Sequence, residues 1–126
     1  MNHEPAELWA FLPLGYLITV TLETPVLLWL LSARHRLRDR FLAGLWLTAC
    51  TYPIVVVVLP LLMRGRSVWE YLVVAETFAP ATECLLFWWV WIKPLPVDRR
   101  ATIWDLGVVV LANLISFGAG ELFYSR

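Results

Sequence analysis

Glu76-Thr-Phe-Ala-Pro80-Ala-Thr-Glu83-Cys84 lies in the middle of an otherwise apolar run from Val68 to Ile92. The two carboxylates are seven residues apart, nearly two full turns, so a helix carries both on one face. A charged residue at the centre of a membrane-crossing helix costs about 2.5–3.5 kcal/mol on insertion scales. The ten Leu, Ile, Phe and Val residues of this run contribute only about 0.3–0.6 kcal/mol each. The opposing terms nearly cancel, so the run stays in a bilayer only with partner helices, water, a cation, or a proton on one glutamate.

Three more apolar runs flank it. The chain has 126 residues, 60% of them hydrophobic, and a mean hydropathy of +0.70. The spacing predicts spans over Leu8–Ala33, Phe41–Met63, Val68–Ile92 and Ala101–Tyr124, each roughly 35–39 Å of helix and long enough to cross with some tilt. Strands of a membrane barrel would be shorter and would alternate in polarity. The expected fold is therefore all-α: a four-helix integral membrane bundle in a single domain, residues 1–126. Thr21-Leu-Glu23 through Trp29 can be laid over Ala81-Thr-Glu83 through Trp89, a faint repeat that would make the bundle two parallel helical hairpins.

Charge placement sets the expected topology. The first and third loops hold seven of the ten cationic residues: Arg34, Arg36, Arg38, Arg40, Lys93, Arg99 and Arg100. The positive-inside rule puts these loops in the cytoplasm and both termini outside. The setting expected is a bacterial inner (plasma) membrane. The acidic N-terminus, with no small-residue cleavage site after the first run, argues against a removable signal peptide. The basic loops read as topology anchors, and His35 among the arginines as solvated.

The polar residues inside the runs carry the functional expectation. Counted from the basic ends, Glu23, Thr51 and Glu83 fall roughly 13–15 Å deep, and Asn113 within a turn of that level. Four segments thus bring a polar group to one layer. Glu76 lies two turns further out, Glu121 near the outer mouth and Asp105 near the inner one, where the reading of Asp105 as an intramembrane group is weakest. Pro25, Pro53 and Pro80 would free the carbonyls of Thr21, Ala49 and Glu76. Carboxylates, freed carbonyls and hydroxyls are the oxygen ligands of hard cations, and broken helices place such groups at transport sites. Glu23, Glu76, Glu83, Thr51 and Asn113 are accordingly the expected ion- or proton-binding residues, with Glu23 and Glu83 as ligands if a metal cation is the cofactor. Asn113 also reads as glue between helices.

Other chemistry finds less support. No membrane segment contains a histidine, and Cys50 and Cys84 form no CxxC pair and read as packing residues. Nucleotide-binding glycine loops, HExxH and GxSxG are absent. A transporter-like or channel-like protein heads the functional expectations. An accessory subunit of a membrane complex follows, then a small intramembrane enzyme acting on a lipid or quinone. The partners expected are the lipid bilayer and a homo-oligomer or larger membrane complex, with no nucleic acid.

Overall fold

In the computed structural model, backbone structure is described for residues 5–124 and side-chain surroundings for residues 13–119. Four helices follow one another: α1 (Pro5–Leu30), α2 (Leu37–Leu62), α3 (Val68–Ile92) and α4 (Arg99–Tyr124). Each is long and apolar enough to cross a membrane. The molecule is an all-α four-helix bundle and an integral membrane protein.

Neighbours in the chain are neighbours in space. Helix α1 packs on α2 and α4, and α3 packs on the same two from the opposite side, leaving α1 and α3 diagonal. The residues that seemed to repeat therefore sit on diagonal helices. Glu23 and Glu83 are both buried, whereas Trp29 and Trp89 both face outward.

Local chemistry sets the helix ends and irregularities. Helix α1 stops at Leu30, sooner than apolarity alone suggested, because the chain turns at Ser32–His35, where the His35 N–H reaches the Ser32 carbonyl. Between α2 and α3, Gly65 takes φ +84°, a conformation open to glycine. Ser67 then caps α3, its Oγ accepting the Glu70 N–H at 3.1 Å. Helix α2 opens into a π-turn over Ile54–Val58, directly after Pro53. Pro60 follows the turn, and the carbonyl four residues before it, that of Val56, falls inside the turn. A second π-turn, Trp88–Ile92, ends α3, with the Lys93 N–H donating to Trp88 O at 2.7 Å.

Packing is concentrated at the end of the bundle that carries the basic loops. Leu27, Leu31, Ala43, Leu47, Phe87, Ile92, Val108, Val109 and Ala112 form one buried cluster there. Towards the other end, Val57 and Ala75 are the buried hydrophobic residues among those described. Helices α1 and α2 meet most closely at Gly44, where an added Cβ would lie 2.9 Å from the Thr24 Cβ. Small residues allow such approach in membrane bundles.

Gly44→Ala is expected to lower stability by about 1–3 kcal/mol, the usual range for overpacking. Combining it with Thr24→Ala should recover part of the loss. Thermal unfolding in detergent of both single variants and the double variant measures the coupling, and strictly additive losses would locate the damage elsewhere.

Candidate functional site

Glu83 stands on α3, 3% exposed, at the level where the three other helices also bring polar groups. From α2, Thr51 Oγ1 lies 2.7 Å from Glu83 Oε2 and 3.1 Å from the carbonyl of Leu47. From α4, Asn113 Nδ2 donates to Glu83 Oε1 at 3.2 Å and to Val109 O at 3.0 Å. Both amide hydrogens of Asn113 are thereby engaged. Glu23, 4% exposed on α1, lies within electrostatic reach of Glu83 and Glu76, with Ser116 of α4 as its hydrogen-bonding neighbour.

The structure thus brings Thr51 and Asn113 directly onto Glu83 and sets Glu23 close by. Glu76 is only part-buried and lies within electrostatic reach of Glu23 and Tyr71. Tyr71 donates to the Val55 carbonyl in the π-turn of α2 at 2.7 Å. Thr77 turns away and bonds its own helix at Val73 O. Cys84 is held by the Leu106 carbonyl at 3.5 Å, and both cysteines are free thiols. The side chain of Glu121 lies outside the described residues. Among the described residues, no three His, Cys, Asp or Glu side chains gather as a metal centre would need.

A second polar cluster was not expected, and it corrects the readings of Asp105 and His35. Asp105 is 0% exposed, although it is only two turns into α4. The loop after α1 folds over it. Ser32 donates its backbone N–H to Oδ1 at 2.7 Å and its hydroxyl to Oδ2 at 2.8 Å. Arg34 reaches Oδ2 through Nε at 3.2 Å and Nη2 at 3.1 Å. His35 Nε2 lies 2.9 Å from the same oxygen, with its ring edge-on to Phe87 at 5.2 Å. His35 is buried, not solvated.

Arg40 completes this end. It donates to the carbonyls of Leu28 (2.8 Å), Ser32 (2.8 Å) and His35 (3.0 Å). Leu28 O lies in the last turn of α1 and the other two in the loop that follows, and one guanidinium fork reaches all three. Two of the loop arginines thus hold the fold together internally. The alternation Arg34-His-Arg-Leu-Arg-Asp-Arg40 hid this, because a charge-dense loop usually reads as solvated.

No family model matches the chain, and no curated protein or solved structure does.

Asp105→Asn keeps the shape but leaves the Arg34 charge unpaired, so it should destabilise by about 3–5 kcal/mol, as breaking one side of a buried ion pair does. Glu70→Gln, which breaks the exposed Arg66–Glu70 pair at 3.3 Å, should cost no more than about 1 kcal/mol. Unfolding midpoints of the two variants under identical conditions check the contrast.

Proposed function

We propose that the layer around Glu83 is a proton-handling site inside the membrane, the working part of a small transporter-like or channel-like protein. The supporting observation is a count of hydrogens. Thr51 has one hydroxyl proton but two close oxygen neighbours, Glu83 Oε2 and Leu47 O. An ionised Glu83 is an acceptor only, so one of those contacts would lack a hydrogen. With a proton on Oε2, Glu83 donates to Thr51, Thr51 donates to Leu47 O, and Asn113 donates to Oε1. Every contact then has its own hydrogen, and no uncompensated charge sits in the apolar interior.

Glu23 gives the proton somewhere to go. A second carboxyl from the diagonal helix, within electrostatic reach, forms with Glu83 a pair between which a proton can be exchanged, and Glu76 extends the series of acids along the bundle. Carboxyl chains of this kind mark proton paths in membrane proteins. A metal cation held by Glu23 and Glu83 has less support. Hard cations seek six or more oxygens, and the carboxylates here gather in no group of three. An accessory-subunit role, with acids paired to another chain's cations, also has less support, because the chain's own helices cover Glu23 and Glu83. Four helices enclose little water, so a homo-oligomer or larger membrane complex belongs to the proposal.

In proteoliposomes, Glu83→Gln should reduce proton flux at least tenfold, while Glu70→Gln leaves it unchanged. The infrared carbonyl band of a protonated carboxylic acid should be present in the wild type at neutral pH, weaker in Glu83→Gln, and absent when Glu23→Gln is added. A wild type without that band would have Glu83 ionised, overturning the proposal. Flux that follows a divalent cation and ignores pH would transfer the site to the metal reading.

A further inference from the structure

A groove runs along the outer face of α2, near the basic end. Its volume is about 500 Å³, and its walls are Tyr16 of α1, Leu42, Trp46 and Ala49 of α2, and Val90 and Trp91 of α3. That size is within the range of roughly 300–1,000 Å³ typical of small-molecule sites. The walls are fixed. The Tyr16 hydroxyl is tied to Leu45 O at 2.7 Å, and Trp46 meets Trp91 edge-on at 5.7 Å. Leu42, Trp46 and Val90 remain exposed along the groove, so a ligand there would lie against the hydrocarbon of the bilayer.

Two cations stand at the basic ends of the helices that wall the groove. Arg38 lies one turn from Leu42 on the same face, in the series 38, 42, 45, 46 and 49 that a helix aligns. Lys93 stands just past the π-turn that ends α3. Both are exposed, and among the described residues neither enters an ion pair. Arg34 and Arg40, by contrast, are engaged within the fold. Asp39, the nearest acid in sequence, is turned about 100° away around α2.

We infer that this groove docks an anionic phospholipid, with one acyl chain along Tyr16, Trp46 and Trp91 and the phosphate between Arg38 and Lys93. Two free cations at the headgroup end favour a net negative lipid over a zwitterionic one. The apolar walls favour a phosphate that carries a chain over a free one. The inference does not depend on the proton-handling proposal.

The test uses the purified full chain in detergent, titrated with phosphatidylglycerol bearing brominated acyl chains, with tryptophan quenching as the readout. Half-maximal quenching is expected at a concentration at least tenfold lower than with brominated phosphatidylcholine. Arg38→Gln and Lys93→Gln should each weaken phosphatidylglycerol binding about fivefold, the effect of one cation at an anionic surface. Arg64→Gln at the opposite end should leave it unchanged. Equal binding of the two lipids, a preference that survives both substitutions, or displacement by millimolar inorganic phosphate would each overturn the inference.

Discussion

Inside a bilayer no water compensates a polar group, so each must find its partner within the chain. That constraint accounts for most of the departures from a plain apolar bundle. The close of α1, the fold of the first loop and the polar layer at mid-depth all answer it. Arg40 donates to the Leu28 carbonyl in the last turn of α1 and to the loop carbonyls after it, and the loop bends back so that Ser32, Arg34 and His35 meet Asp105. Trp104 adds a further tie, its indole N–H donating to Leu30 O at 2.6 Å. These bonds join α1, the loop, α2 and α4 at one end, and the apolar cluster around Leu47, Phe87 and Val109 packs directly beneath them.

The hydrophobic runs and their lengths made the fold legible. A simple depth count also brought Glu23, Thr51, Glu83 and Asn113 to one level, because rise per residue is constant in a helix and the basic loops mark a common plane. The bonding of Thr51 and Asn113 to Glu83 rather than to lipid-facing partners depends on helix rotation, which a depth count does not contain. Asp105 and His35 escaped notice for a different reason. Their burial comes from a loop folding over a helix end, a long-range contact between residues about 70 positions apart. Nothing in the local pattern of either residue signals it. The π-turns were equally illegible, although Pro53 marks where the first begins.

Asp105 and Glu83, two of the three acids buried among the described residues, differ in their surroundings. Asp105 is met by a guanidinium, an imidazole, a hydroxyl and a backbone N–H, a set suited to a permanent negative charge. Glu83 is met by one hydroxyl and one amide, a set that includes no cation. The first arrangement fixes a charge in place. The second suits a carboxyl group whose charge is absent or transient, which the proposed proton-handling role would require.

Glu83 could still be understood as glue alone, since a carboxyl joining Thr51 and Asn113 ties three helices together. Glu23 weighs against that reading. It comes from the fourth helix, is as thoroughly buried, and bonds to neither Thr51 nor Asn113 among the described contacts. A purely adhesive layer would be stronger with an apolar residue there, because a second acid adds desolvation and repulsion near Glu83 and gains in return the bond to Ser116. Its position within reach of Glu83 follows naturally if the two carboxyl groups exchange a proton. Under that proposal, the apolar cluster between this layer and the Asp105 cluster would separate a site where charge can change from one where it is held fixed.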